Sequence, residues 1–236
     1  MHFFPETGRL ASSRNLSGRL NWNGVGERVD DGVTVPEHAL IAHKLTRLRD
    51  KNTSSVLFRN LAREISQILL VDATRDLTTH DDERETPLSP FTGASITPRI
   101  GIVPILRAGL GMTDVAHEML PMARVLHIGL FRDEETLEPV YYYDKLPTPP
   151  NVDLALVVDP MLATGGSAIA AISRLKETGI EDIRFVGIIA APEGVAALRA
   201  AHPDVRIWLA SIDERLNEVG YIIPGLGDAG DRIMDT

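Results

Sequence analysis

The segment with the residue types best suited to binding a substrate is Val158 to Ser167, which reads Val-Asp-Pro-Met-Leu-Ala-Thr-Gly-Gly-Ser. An apolar run ends in Asp159, and Thr164-Gly-Gly-Ser167 opens a pattern typical of a helix. Glycine lets backbone N–H groups converge, the two hydroxyls add donors, and the helix N-terminus adds partial positive charge. Four such residues alone would equally fit a helix cap, and the acid at the strand end is what favours phosphate. The stretch therefore predicts a site for a phosphate monoester, with Asp159 holding hydroxyls of the attached sugar.

Two further loops carry arginines suited to a diphosphate. In Pro104-Ile-Leu-Arg107-Ala-Gly109, Arg107 offers a planar fork of donors for phosphate oxygens, and Gly109 permits an unusual backbone angle. Taken alone, Arg107 would fit a surface arginine paired with a nearby carboxylate better than a phosphate ligand. Arg132 opens a charged segment that runs to Tyr143. We expect this segment to be a mobile hood that closes when substrate binds, with Arg132 as a phosphate clamp.

The segment Gly220-Tyr-Ile-Ile-Pro-Gly-Leu-Gly-Asp-Ala-Gly-Asp231 has four glycines and a proline in twelve residues, which fixes a non-regular backbone. Its apolar residues argue against an exposed tail. A rigid loop that offers N–H and C=O groups in set directions suits a small planar amide such as uracil. The donor and acceptor of a backbone peptide group cannot exchange places as those of an Asn or Gln side chain can. Such a loop can therefore distinguish the carbonyl group of uracil from the amino group of cytosine.

Short apolar runs alternate with helical segments from Arg99 onward, which predicts a doubly wound, mostly parallel α/β sheet flanked by helices. The predicted strands are Ile100–Leu106, Val125–Phe131, Leu154–Val158, Ile183–Ala190 and Val205–Ala210. The predicted helices are Pro36–Lys51, one capped by Thr53 or Ser54, Leu110–Leu120, Ser167–Thr178 and Val195–His202. Ligands of such sheets bind beyond the carboxyl ends of the strands, which is where the loops described above lie.

The predicted organisation is a flexible extension over residues 1–35, rich in Gly, Ser and Asn, followed by one domain over residues 36–236. Within the domain, His80–Pro98 is charged and contains three prolines, which predicts a loop or a ragged edge.

Composition narrows the function. The net charge of −9 over 236 residues argues against a nonspecific grip on nucleic acid. The absence of cysteine excludes disulfides and cysteine-based metal or redox sites, and no apolar run has the length of a membrane span. The start of the chain does not have the pattern of a secretory signal. We therefore expect a cytoplasmic protein.

Together, the motifs that contain Asp159, Arg107 and Asp231 resemble uracil phosphoribosyltransferases, within the type I phosphoribosyltransferase fold, over about Pro36 to the C-terminus. The resemblance implies transfer of phosphoribosyl from phosphoribosyl diphosphate to uracil, which gives UMP and pyrophosphate in pyrimidine salvage. It implies catalytic roles for Arg107, Asp159 and Asp228. The residues that it assigns to phosphoribosyl diphosphate are Arg107, Arg132, Asp159, Pro160, Met161, Leu162, Ala163, Thr164, Gly165, Gly166, Ser167 and Asp228. Those that it assigns to uracil are Ile222, Gly227, Asp228 and Ala229, in a small C-terminal base-binding region.

The resemblance also implies magnesium, reached by Asp228 through water, activation by GTP, and a homo-oligomer, either a dimer or a tetramer. Three alternatives stay open at this point: a phosphoribosyltransferase for another base, a nucleotide-sensing regulatory relative that binds RNA, and a nucleotide-binding module without catalysis. The regulatory relative would need a basic face. The local basic cluster, interpreted as a solvated or subunit-contacting helix face, is Lys44, Arg47, Arg49 and Lys51.

Overall fold

The computed structural model describes residues 28–30, 32–132, 139–144, 146 and 150–236. Within these residues the helices are α1 Ala39–Arg49, α2 Ser55–Ala73, α3 Leu110–Met119, α4 Gly166–Glu177, α5 Pro192–Ala201 and α6 Ala229–Met234. The strands are β1 Arg28–Asp30, β2 Val33–Thr34, β3 Thr79–Glu85, β4 Pro90–Ile96, β5 Ile100–Leu106, β6 Arg124–Val125, β7 Ile128–Arg132, β8 Pro139–Asp144, β9 Leu154–Val158, β10 Met161–Leu162, β11 Asp182–Ala190, β12 Arg206–Ile212, β13 Arg215–Leu216 and β14 Ile222–Ile223.

The main sheet has the strand order β1-β2-β12-β11-β9-β5-β7-β8, with β10 paired to β11 and β6 paired to β5. All neighbours from β2 to β7 along this order are parallel. Strands β1 and β8 close the two edges in antiparallel fashion. The predicted doubly wound, mostly parallel α/β fold is confirmed.

The central strand β9 shows why the chain folds into three layers. Every residue from Leu154 to Val158 is buried. Leu154, Leu156 and Val158 join a core cluster with α1, α2, α3 and α6, whereas Ala155 and Val157 join a second cluster with α4 and α5. Successive side chains of a strand point to opposite faces, so a strand covered on both sides must be apolar throughout. The position of β9 in the middle of the sheet follows from its sequence.

Strands β5 and β9 begin and end at the predicted residues, while the strand predicted over Val125–Phe131 is divided into β6 and β7. The prediction of a loop over His80–Pro98 is wrong. Strands β3 and β4 form a regular antiparallel hairpin there. Most of its side chains are exposed on both faces, so no apolar alternation marks the strands, and Pro90 stands at the start of β4, where a missing N–H is tolerated.

The domain boundary at residue 35 stays a prediction, and strand β2 lies directly before it. Val33 is buried and pairs with Ile207 of β12, and the Ile207 N–H donates to the carbonyl of Gly32 (2.8 Å). The sheet therefore begins before residue 36, because β2 extends it beside β12. Residues 1–27, which make up most of the predicted extension, lie outside the described residues.

The predicted hood is described in part. Strands β7 and β8 form an antiparallel pair, but residues 133–138 between them and the side chain of Arg132 lie outside the described part of the chain. The closure of the hood and the role of Arg132 remain predictions.

Candidate active site

Two of the predicted loops leave adjacent parallel strands at the carboxyl edge of the sheet. Strand β5 leads to Arg107 and β9 leads to Asp159, with Pro104 and Val158 in register. A Cβ on Gly109 would lie 2.5 Å from the carbonyl oxygen of Val158, so only glycine lets the first loop pack this closely on the second strand. The expectation of an unusual backbone angle at Gly109 is wrong, because its φ of −58° is right-handed. The glycine is required for space and not for conformation.

Residues 159–167 comprise the loop after β9 and the first two residues of α4. This segment, which the sequence predicts to bind phosphate, is called the phosphate loop below. Strand β10 anchors its middle by pairing Met161 with Ile189 of β11. Gly165 has φ +86° and directly precedes α4, so a left-handed turn aims the loop backbone at the helix N-terminus. A Cβ on Gly194 would lie 2.2 Å from the carbonyl oxygen of Ala163, so the start of α5 packs directly beneath the loop.

Burial separates the phosphate-loop residues into those that pack and those that are open to a ligand. Pro160, Leu162 and Gly165 are buried. The partly exposed members are Asp159, Met161, Ala163, Thr164, Gly166 and Ser167. The two hydroxyls are thus partly exposed at the N-terminus of α4, and their role in binding an anion stays a prediction.

Asp159 has an unusual charge state for an aspartate. Desolvation of its carboxyl group raises its pKa to about 7, against the hydrogen bond that Oδ1 accepts from the N–H of Met161 (3.4 Å). Its ionisation therefore falls in the range where enzymes work. A carboxylate that is poorly solvated in the free protein gains from sugar hydroxyls that donate to it.

Arg107 faces the terminal segment, residues 220–231. Its side chain is 62% exposed, and Nη2 lies 3.8 Å from Oδ1 of the equally accessible Asp231. This is the surface ion pair that the alternative predicts, but an exposed pair at this distance contributes little energy and leaves most of the guanidinium fork open to a ligand. Helix α3 also packs on α6, since a Cβ on Gly111 would lie 2.7 Å from Cδ1 of Ile233. The arginine loop and the terminal segment are therefore neighbours.

Within the terminal segment, buried side chains alternate with exposed ones. Ile222 and Ala229 are buried in the core cluster, so either can offer only its backbone to a ligand. Gly227 and Asp228 are exposed, and Gly227 has φ +82°. Asp228 caps α6 by accepting the N–H of Asp231 at Oδ1 (2.9 Å). Burial and the cap of α6 thus hold the backbone of the segment, and its rigidity stays a prediction.

Asp228 fits the predicted magnesium contact. Its carboxylate is exposed and uses Oδ1 for the cap of α6. Magnesium binds one or two carboxylates and keeps water and substrate phosphates as its remaining ligands, so a dedicated protein cage is not required. The described residues contain no group of three or more His, Asp or Glu side chains that could hold a metal ion.

The sequence interpretation missed a charged pair beneath the terminal segment. Arg49 is an internal residue that pairs with buried Asp213, and Lys44 pairs with Glu64 (2.5 Å). The interpretation of this cluster as a solvated or subunit-contacting face is therefore wrong for Arg49, whose side chain is 13% exposed and paired with Asp213, whereas Arg47 and Lys51 are exposed. No local pattern marks the first pair, because Arg49 and Asp213 are 164 residues apart in the chain.

Comparison with known proteins agrees with these observations. The family model described as uracil phosphoribosyltransferase matches residues 35–236. The uracil phosphoribosyltransferase of Roseiflexus castenholzii is 57% identical over 204 residues, which cover 86% of this chain and 98% of the relative. The solved AQ2163 protein of Aquifex aeolicus matches with a TM-score of 0.80 and 37% identity, over 85% of this chain and 97% of that one.

A more distant structure shows that the architecture extends beyond close relatives. The adenine phosphoribosyl transferase of Trypanosoma brucei, solved with AMP, pyrophosphate and ribose-5-phosphate, shares the fold with a TM-score of 0.57 and 12% identity, over 87% of this chain and 92% of that one. The family model and the close relatives cover the phosphate loop, the arginine loop and the terminal segment together, so the chain belongs to the uracil phosphoribosyltransferase family.

Proposed function

We propose that the protein transfers the phosphoribosyl group of phosphoribosyl diphosphate to uracil, forming UMP and releasing pyrophosphate. One observation carries this function. The phosphate loop, the Arg107 loop and the terminal segment meet at one edge of the sheet, with Arg107 Nη2 3.8 Å from Asp231. A sugar phosphate, a diphosphate and a planar base thus have neighbouring sites.

In the reaction, the bond from the anomeric carbon to the pyrophosphate oxygen breaks and a bond to a uracil ring nitrogen forms. The sugar gains positive charge while the departing pyrophosphate gains negative charge. Arg107 stabilises the pyrophosphate, because its exposed guanidinium lies at the loop that follows β5. Asp159 orients the ribose by accepting from its hydroxyls. When bound through water to Asp228, magnesium would neutralise part of the diphosphate charge.

No covalent intermediate with the enzyme is required. The proton of the uracil nitrogen leaves as the new bond forms, and pyrophosphate, water and the exposed carboxylate of Asp228 are the available acceptors. Uracil itself is held by backbone groups of Ile222 and of Gly227 to Ala229. Since these peptide groups are fixed by buried neighbours, their donors and acceptors cannot reverse to fit cytosine.

The test is a comparison of initial rates on uracil, cytosine, hypoxanthine and adenine, with phosphoribosyl diphosphate and magnesium, followed by pyrophosphate release and UMP formation. We expect turnover with uracil and little with the other bases. A preference for a purine would overturn the assignment. Omitting magnesium, and then adding it back, tests the metal in the same assay.

The residues that the structure describes give no support to the regulatory alternative. It required a basic face for RNA, but the helix that would carry this face has Lys44 bound to Glu64 and Arg49 buried against Asp213. The Roseiflexus castenholzii relative and the matching family model bear the name of the enzyme.

We further propose a homo-oligomer, supported by the β3–β4 hairpin. The hairpin carries apolar side chains in solvent, with Leu88 94% exposed and Phe91 and Ile96 nearly half exposed. We interpret these exposed apolar side chains as part of an association surface, the usual role of exposed apolar patches. Light scattering on Phe91→Ser should show smaller particles than the wild type, while Val219→Ser, a control at an exposed valine elsewhere, should not.

Activation by GTP and a cytoplasmic location remain proposals that rest on the family resemblance and, for the location, on the absence of cysteine. Initial rates with and without GTP test the first. In the described residues no helix combines the length and the apolar character needed to cross a bilayer.

A further inference from the structure

A buried ion pair lies directly below the terminal segment. Asp213 follows β12, and its side chain is 0% exposed. It accepts from Nη1 and Nη2 of Arg49 at 2.6 and 2.5 Å, and from the hydroxyl of Ser211 at 3.0 Å. Arg49, the last residue of α1, is 13% exposed. A buried pair of this kind adds little net stability, because desolvation of both charges offsets their attraction.

The same two side chains hold both polar groups of one peptide position in the terminal segment. The N–H of Gly225 donates to Oδ2 of Asp213 (2.9 Å), and its carbonyl accepts from Nη1 of Arg49 (2.6 Å). Gly225 has φ +65°, and a Cβ there would lie 2.1 Å from the carbonyl oxygen of Ile222. The charged pair therefore fixes the tightest turn of the segment.

This turn lies between the residues that are expected to hold uracil. Ile222 precedes Gly225 by three residues, and Gly227 to Ala229 follow it. Neither charged side chain has a hydrogen bond to the phosphate loop. A displaced turn would consequently shift the groups that contact the base and leave the phosphate loop in place. Of the residues assigned to phosphoribosyl diphosphate, only Asp228 lies in the segment, and its side chain is held separately by the N–H of Asp231 (2.9 Å).

We infer that Arg49 and Asp213 are positioning residues that set the affinity and selectivity of the site for uracil, and not for phosphoribosyl diphosphate. The inference rests on the proposed function, because it names what orients the base-binding backbone. The pair acts through the two peptide groups of Gly225 and does not touch the reacting atoms. Burial of the pair costs free energy of desolvation, and the conformation that the pair imposes on Gly225 explains why it is there.

The first variant to measure is Asp213→Asn, which keeps the shape of the side chain but replaces one acceptor oxygen with an amide donor. That donor would face Arg49 or the N–H of Gly225, so one hydrogen bond must be lost. We expect the KM for uracil to rise by about tenfold or more, while the KM for phosphoribosyl diphosphate stays within about twofold, because loss of precise positioning affects only the displaced contacts. The preference for uracil over cytosine should fall as well.

Arg49→Lys is the milder variant, since a lysine keeps the charge but cannot donate in a fork to Asp213 and also reach Gly225. It should show the same split between the two KM values, to a smaller degree. If Asp213→Asn does not fold, the split is read from Arg49→Lys alone.

Arg184→Lys is a matched control. The side chain of Arg184 is 3% exposed, and its Nη1 donates to a carboxylate, Asp76 (2.6 Å), and to a backbone carbonyl, Ala73 (2.5 Å), which repeats the pattern of Arg49. It lies at the start of β11, at the amino edge of the sheet. The control should lower the melting temperature and leave both KM values unchanged.

The results separate the inference from the function on which it rests. If wild-type protein does not use uracil, the proposed function fails. If wild-type protein does use uracil, an unchanged KM for uracil in the folded variants overturns the positioning role. Equal rises in both KM values overturn it as well, because they indicate a general loss of structure. A rise confined to uracil, absent from Arg184→Lys, supports it.

Discussion

The phosphate loop and the terminal segment are held in different ways. The phosphate loop follows one strand, opens one helix and is anchored by the pairing of β10 with β11. The terminal segment has only the two-residue strand β14 and the short helix α6, and side chains from distant parts of the chain fix its backbone. Arg49 holds Gly225, and Arg232, which lies over the ring of Phe58 (4.3 Å), holds the carbonyl of Leu226 (2.7 Å).

This difference shows how one site can hold two substrates independently. A sugar phosphate needs convergent N–H groups, which a glycine loop at a helix N-terminus provides from local sequence. A planar base needs donors and acceptors in one fixed pattern, which an irregular backbone provides only if other residues hold it. A variant that disturbs only one of these two regions should therefore change the kinetic constants of only one of the two substrates.

The largest effect is expected where the two regions meet, at Arg107. Arg107→Ala should lower kcat/KM by about 100-fold to 1,000-fold, the scale for loss of one preorganised donor that stabilises developing charge. The fold should survive, because the side chain is exposed. Steady-state kinetics and circular dichroism check both expectations. The control is Arg99→Ala, which removes a similarly exposed arginine from the opposite edge of the sheet and should keep normal rates. Wild-type rates in Arg107→Ala would mean that Arg107 has no role in the reaction.

The next largest effect should be confined to the phosphate loop. In Gly194→Ala the new methyl group would lie 2.2 Å from the carbonyl oxygen of Ala163, so the loop must shift. Displacement of a binding group by about 1 Å costs on the order of 100-fold, so kcat/KM for phosphoribosyl diphosphate should fall by about that factor. Binding of uracil analogues, measured by calorimetry, should change much less.

Gly179→Ala is the control for that substitution. Gly179 has φ +94° with no atom within 4 Å of the added methyl group, and it lies in the turn after α4. The variant should lose about 1 kcal/mol of stability from backbone strain and keep normal kinetics. An equal kinetic loss in both glycine variants would contradict the packing role of Gly194.

A smaller, pH-dependent effect is expected from Asp159. With a pKa raised to about 7, the carboxyl is protonated below that pH, so kcat/KM should fall about tenfold per pH unit below 7 if the ionised form holds the ribose. Asp159→Asn should be less active and should lack this inflection. A wild-type profile that is flat between pH 5 and 8 would argue against the role of the carboxylate.

The same shift predicts the direction of the stability change. The folded state binds the proton more tightly than the unfolded chain, whose pKa stays near the ordinary value of 3.8. Stability is therefore lost as the pH rises from about 4 through 7, because the folded protein must ionise a poorly solvated group. Asp159→Asn should raise the melting temperature relative to wild type at pH 8 and not at pH 4.

The smallest effect is expected from removal of the residues that precede Gly32. A chain that begins at Gly32 retains the pairing of Val33 with Ile207 and loses only β1 and the residues before it. Because exposed chain ends tolerate truncation, both KM values should stay within about twofold of the full chain. A soluble truncated protein without activity would mean that the early residues contribute to the site or to assembly.

The sequence was sufficient wherever structure depends on neighbours in the chain. Strand β9 is marked by apolar residues on both faces, and the phosphate loop by an acid, two glycines and two hydroxyls in order. The sequence was insufficient where structure depends on distant partners. Arg49 looks like any surface arginine until Asp213 is placed beside it, and Gly109 is glycine because of a carbonyl on another strand. The β3–β4 hairpin was missed because both faces are exposed.

The 164-residue separation of Arg49 from Asp213 also has a consequence during synthesis. At ribosomal rates of about 5 to 20 residues per second, Arg49 precedes its partner by roughly 8 to 33 seconds. Helix α1 can form in that time, but its final guanidinium remains in water. The phosphate loop is complete in the nascent chain before the turn at Gly225 exists. The half of the site for the sugar phosphate is therefore built first, and the half that selects the base is built last.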